Sequence, residues 1–258
     1  RPRACPSARR HRSRCVRGPR DRGAARARAA GPPAGAPGLR CASGEPRHPG
    51  GSTLLPAPRT CQTCGWPLVT KLAGKVRVVG AFRQTTPESA SHFYRSVVVG
   101  RVDGTPFDFQ GSVAAVNEME SLSGWVSLIA AIHGPQESWR GAIKVSGSHA
   151  ESVRMLCRGE ADVASIDSVS LAHLRRIDAD VIGSLFTICN GPLVPCLPII
   201  CHISVNETQL SELRSALVAA TLDKSVSDAI SALFIGGFDP LDLEDYLPLL
   251  NLKPNYEG

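Results

Sequence analysis

Three short stretches of this 258-residue chain carry residue types that can hold an anion. Ser121-Leu-Ser123-Gly124 and Ser146-Gly-Ser148-His149 each place serine hydroxyls and a glycine just before a run with helical apolar spacing. A helix start offers free N–H groups and the positive end of its dipole, so it can cradle an oxyanion without any lysine or arginine. His149 can add a ring N–H or a full charge. Asp167 closes the run Asp162 to Asp167. An ionised carboxylate only accepts hydrogen bonds, so beside an anion it favours a guest that brings a proton or an ammonium group over sulfate. Each residue also has a plainer reading: Ser121, Ser123 and Ser148 as helix caps, His149 as a cap facing solvent, Asp167 as the cap of a helix starting at Ser168.

The elements that must position these residues follow from local pattern. Ser148 with Glu151 forms a capping box, Val153 and Leu156 repeat at helical spacing, and Gly159 supplies the stop. Asp162 to Asp167 reads as a strand, and Leu171 and Leu174 mark the helix after it. Gly111 to Asn117 reads as the strand before the first serine turn, and Trp125 to His133 as the helix after it. This alternation predicts α/β architecture with mainly parallel sheets and ligands at strand ends. Two continuous β-branched runs, Tyr94 to Val102 and Leu197 to Ser204, have the composition of strands crossing between two lobes. From Glu207 onward the spacing is helical, with a stop at Gly236-Gly237 and a further helical stretch at Leu241 to Leu250. Residues 59–100 and 204–258 are expected to build lobe one, and residues 101–203 to form lobe two, inserted between the hinge strands.

Composition narrows the function classes. The first 60 residues hold 14 arginines, no lysine, and only Asp21 and Glu45 as acids; residues 61–258 carry 15 basic and 21 acidic side chains. The net charge of +6 therefore belongs to the opening segment, and the body does not carry the footprint of a nucleic-acid binder. Residues 1–58, rich in Arg, Pro, Gly and Ala, lack apolar periodicity and are expected to be disordered. Their composition also matches GC-rich coding sequence translated out of frame. No run of about 18 apolar residues is present. The nine cysteines show no regular framework. Cys61-Gln-Thr-Cys64 lacks the second pair of a structural zinc site, and Gly65 and Pro67 predict a turn where a redox pair needs a helix start.

Several of these pieces resemble, in order, the phosphonate-binding branch of the type II periplasmic binding fold, the phosphate/phosphite/phosphonate substrate-binding proteins of ABC transporters. They are Gln62 to Leu68, Phe93 to Val99, Asn117 to Trp125, Ser146 to Ser170, Pro195 to Ile199 and Gly237 to Tyr246, spread over about 195 residues. The resemblance implies a two-lobed, hinged fold that closes on a small phosphorus oxyanion and delivers it to a membrane permease. It implies a ligand cradle of Ser121, Ser123, Gly124, Ser148 and His149, with Asp167 at the strand end and Trp66 and Tyr94 as walls from the other lobe. It implies a monomer without cofactor or metal, working in the periplasm, with the cytoplasm as the alternative because no signal peptide is legible. The family's opening strand, helix and strand have no counterpart in residues 1–58, so lobe one is expected to be incomplete at its N-terminus.

Two other readings compete. The same fold hosts cofactor-biosynthesis enzymes, with Cys64 or His149 as attacking group and Glu118 and Glu120 as nearby acids, yet no nucleophile stands beside an identifiable base, and a non-enzyme is expected. A nucleic-acid binder acting through the arginine-rich arm would lose affinity steeply with salt, and none is expected.

Overall fold

The computed structural model describes residues 60–255, so the expectations for residues 1–58, including Cys5, Cys15 and Cys41, lie outside the described residues. Strands β1 (Thr60–Gln62), β2 (Val76–Gln84), β3 (Ser89–Ala90), β4 (Phe93–Tyr94), β5 (Ser96–Gly100) and β6 (Ala114–Val116) come first. They are followed by β7 (Ile143–Val145), β8 (Val163–Asp167), β9 (Phe186–Asn190), β10 (Val194–Pro195), β11 (Pro198–His202) and β12 (Ile235–Asp239). The helices are α1 (Gly65–Pro67), α2 (Ser127–Ile132), α3 (His149–Cys157), α4 (Ser168–Ile177), α5 (Ala179–Gly183), α6 (Glu207–Leu222) and α7 (Ser227–Ala232). Five residues of π-helix, Leu122–Val126, run directly into α2, and Leu68–Leu72 continue α1 in the same way.

A first sheet has the order β1-β11-β2-β12, a second the order β7-β6-β8-β5-β9, and a three-stranded ribbon, β10-β4-β3, carries the chain from β2 to β5 and back from β9 to β11. The α/β class holds, but the expected parallel sheets do not. Among the described residues only β6 makes parallel pairs, with β7 and β8. The reversals concentrate at the strands that carry the chain between sheets: β2 lies antiparallel between β11 and β12, and β5 antiparallel between β8 and β9. The helical crossovers from β8 to β9 and from β11 to β12 join like-directed strands, yet the reversed β5 and β2 sit between them, and spacing along the chain cannot show that insertion.

The runs expected to cross between lobes also divide differently. Residues 96–100 bond into the second sheet and residues 198–202 into the first, so the short pair β4 and β10, with Val194 opposite Tyr94, makes the crossing. Gly236-Gly237 is no helix stop but part of β12: Gly237 has φ +151, and a Cβ there would meet the Arg83 guanidinium at 2.1 Å, so glycine lets that arginine lie against the strand. The final helical stretch is two 3-10 turns, Leu243–Asp245 and Leu247–Leu252. One apolar cluster runs through both sheets, from Val78, Ala81 and Ile200 to Val98, Val116 and Val163. The face of β8 opposite that cluster, Ala164 and Ile166, packs on Val153 and Leu156 of α3.

Candidate anion site

Strand β6 ends at Val116 and the chain turns through Asn117 to the first serine stretch. Ser121 is the cap: its Oγ accepts from the Gly124 N–H at 3.0 Å, and its carbonyl accepts from Trp125 and Val126 at 3.1 and 3.0 Å. Glycine at 124 lets the Asn117 amide lie against the turn, since a Cβ there would lie 1.7 Å from Asn117 Oδ1. The Leu122 N–H is given to Cys64 Sγ at 3.3 Å, so the start of this turn touches the start of α1. Among the described residues the Ser123 N–H has no comparable internal acceptor.

The second serine stretch contributes its histidine. Ser148 caps α3 through the Glu151 N–H at 3.1 Å, and the next residue, His149, sets its Nε2 at 2.9 Å from Ser123 Oγ. Ser123 Oγ in turn lies 3.4 Å from Ser121 Oγ. Asp167, at the end of β8, accepts from the Ser170 N–H at 2.8 Å and is buried. Its charge acts on both His149 and Tyr94.

Burial holds the His149 imidazole below its ordinary range, with the Asp167 carboxylate opposing that shift, so the ring is neutral near pH 7. Burial pushes the Tyr94 phenol well up, and Asp167 adds to it. Burial likewise raises Cys64 and Cys196, the latter to about 12. The cluster therefore sets neutral donors around one carboxylate. Among the described residues, no lysine or arginine is bonded to Ser121, Ser123, His149, Asp167 or Tyr94, and no group of three or more His, Cys, Asp or Glu side chains could hold a metal.

Of the residues singled out in the sequence, Ser121, Ser123, Gly124, His149, Asp167 and Tyr94 come together. Ser148 does not join them: it is exposed and serves as a cap. Trp66 is packed in the apolar cluster with Tyr246 and Leu249, and its carbonyl accepts from Thr70 Oγ1 at 2.8 Å. Glu120 pairs with Lys71, and Glu118 is exposed. The turn expected after Cys64 is a helix start, with Cys64 at its cap. Its thiol is nonetheless held in the protonated form by burial, the opposite of what an attacking or redox cysteine needs. Sequence reasoning missed Asn117 and Ser165. Asn117 follows a strand directly and faces Gly124, a contact that spacing cannot reveal, and Ser165 donates to the Ser123 carbonyl at 2.6 Å from inside a strand. A hydroxyl in the middle of an otherwise apolar buried run was the one available signal for Ser165.

Residues 67–246 match the family model described as ABC transporter, phosphonate, periplasmic substrate-binding protein. No curated protein matches the chain significantly. Among solved structures, PhnD1 of Prochlorococcus marinus in complex with methylphosphonate superposes with TM-score 0.59 at 14% identity, over 75% of this chain and 76% of that one. A binding protein component of an ABC phosphonate transporter from Pseudomonas aeruginosa gives 0.58 at 14% identity, over 75% and 67%. A Xanthomonas citri protein bound to chloride gives 0.59 at 16% identity, over 75% and 74%. At these identities the superpositions establish the fold.

Proposed function

The chain belongs to the family of periplasmic substrate-binding proteins of phosphonate ABC transporters, and on that premise we propose that it holds a small phosphorus oxyanion reversibly at the Ser121 to Gly124 turn and His149. The observation that carries the reading is the Ser123 to His149 hydrogen bond beside buried Asp167. A dianion entering there displaces that internal bond. It gains both partners as donors, along with the Ser123 N–H and the partial positive charge of the helix start. The ligand class is phosphonate, phosphate or phosphite. Asp167 can only accept, so a guest carrying a proton or an ammonium group fits and sulfate does not.

The lobes of this reading are residues 59–100 with 204–258, and 101–203; sheet membership moves the crossings to the β4 and β10 ribbon, where Tyr94 lies. Closure about that ribbon would present the loaded form to an ABC permease in the periplasm, from a monomer and without chemical change to the cargo. The raised Cys64 thiol favours binding over catalysis.

Calorimetric titration of the full chain with methylphosphonate, phosphate, phosphite and sulfate tests the reading, alongside Asp167→Asn. We expect saturable binding of at least one phosphorus oxyanion with sulfate excluded, and a gain of sulfate binding in the variant. Equal affinity for sulfate in both proteins, or no phosphorus oxyanion bound by the wild type, would overturn it.

A further inference from the structure

We infer that Ser165 is a positioning residue of the anion site: its hydroxyl, held inside β8, fixes where Ser123 stands relative to His149. The inference rests on the binding reading above. Strand β8 is buried along its whole length, and alternation sends Ala164 and Ile166 to the apolar cluster against α3. Val163, Ser165 and Asp167 face the other way, toward the π-helical turn that begins the first serine stretch. An alkyl side chain would satisfy such a strand centre at least as well, because a buried hydroxyl costs free energy unless it finds a partner.

The partner that Ser165 finds is at the site. Its Oγ donates to the Ser123 carbonyl at 2.6 Å, a short, buried bond between a sheet and the backbone of the residue whose hydroxyl meets His149. Ser165 thus bonds the residue that would receive the ligand, without lying at the turn itself. The turn needs such an anchor. Its π-helical hydrogen bonding, Val126 N–H to the Ser121 carbonyl at 3.0 Å, is a wider and less regular winding than an α-helix, and such turns recur where function requires a displaced backbone. A rigid strand bonded to it holds Ser123 Oγ and N–H at one fixed place.

The test compares the full chain with Ser165→Thr, Ser165→Val and Ser165→Ala by calorimetric titration with methylphosphonate and by thermal melting. Threonine and valine have nearly the same shape and differ in the donor, so their contrast isolates the hydrogen bond from packing. We expect Ser165→Val and Ser165→Ala to bind methylphosphonate about tenfold more weakly than wild type, the order expected for one lost bond at a preorganised site, with Ser165→Thr restoring most of the affinity. Threonine and valine variants with equal affinity, or all three variants matching wild type, would overturn the inference while leaving the binding reading intact. Failure of all three to fold would place Ser165 in the core alone and overturn it too. A wild type that binds no phosphorus oxyanion would remove the binding reading, and this inference with it.

Discussion

At the residue scale, the site is a balance between one carboxylate and several neutral donors, and its pH response follows. His149 titrates below its ordinary 6.5 in the folded chain because burial opposes its charge. The unfolded chain therefore binds that proton more readily. Its contribution to stability is present above about pH 6.5 and is lost as pH falls from there through the folded value. His133, also lowered by burial, adds to the same trend. Melting curves between pH 7.5 and 5.5 should show the wild type losing stability on acidification. His149→Gln should flatten that slope in part and not fully, because His133 remains; an unchanged slope would show that His149 does not titrate in this window. The residues that the structure brings together were legible at this scale. Ser121, Ser123, His149 and Asp167 stand out as polar residues at element ends, where capping chemistry is local and readable. Ser148 shows that a cap and a ligand contact ask for the same residue type: it caps α3 and stands apart from the others.

At the element scale, the decisive feature is the turn from β6 into the first serine stretch. Gly124→Ala would place a methyl group 1.7 Å from Asn117 Oδ1, so the Asn117 amide, the end of a short side chain, must swing away from the turn it faces. We expect a loss of about 1–3 kcal/mol of folding stability, as for an overpacked site, together with lost methylphosphonate binding. Denaturant melts and calorimetry measure both. The helices were recoverable because periodicity, caps and glycine stops sit within a few residues of one another, as in α3 with Ser148, Val153, Leu156 and Gly159. The sheets were less so. Strand β9, Phe186–Asn190, carries a mixed and half-exposed sequence, and β12 contains two glycines, so neither shows a strand pattern of its own; each is made a strand by pairing with β5 or β2. Strand direction is a property of partners far away in sequence, which is why mainly parallel order was expected and a mixed, mainly antiparallel order found.

At the scale of the whole molecule, the proposed opening and closing must be reconciled with a continuous apolar cluster and with a strap near the C-terminus. Beyond the last 3-10 turn, Asn255 bonds the loop after α2: its N–H reaches the Glu137 carbonyl at 3.2 Å, its carbonyl accepts from Ser138 Oγ at 2.6 Å, and its amide meets the Gln136 carbonyl. Pro254 beside it is buried. The preceding turns pack on the segment that follows Cys64, where Leu249 and Leu122 both lie against Gly65. The strap therefore joins the segment carrying α1 to the segment carrying α2, in addition to the β4 and β10 ribbon. A chain ending at Leu252 should release methylphosphonate several-fold faster than the full chain in stopped-flow displacement, because fewer contacts oppose opening. Identical release rates would show that the strap plays no part in the motion.

The central claim is that a phosphorus oxyanion sits between the first serine turn and His149, next to Asp167. A crystal structure of the full chain grown with methylphosphonate tests it most directly. The account predicts phosphonate oxygens within hydrogen-bonding distance of Ser123 Oγ, the Ser123 N–H and His149 Nε2, with the Ser123 to His149 bond broken. Phosphonate density seated elsewhere on the chain, with that bond intact, would contradict it.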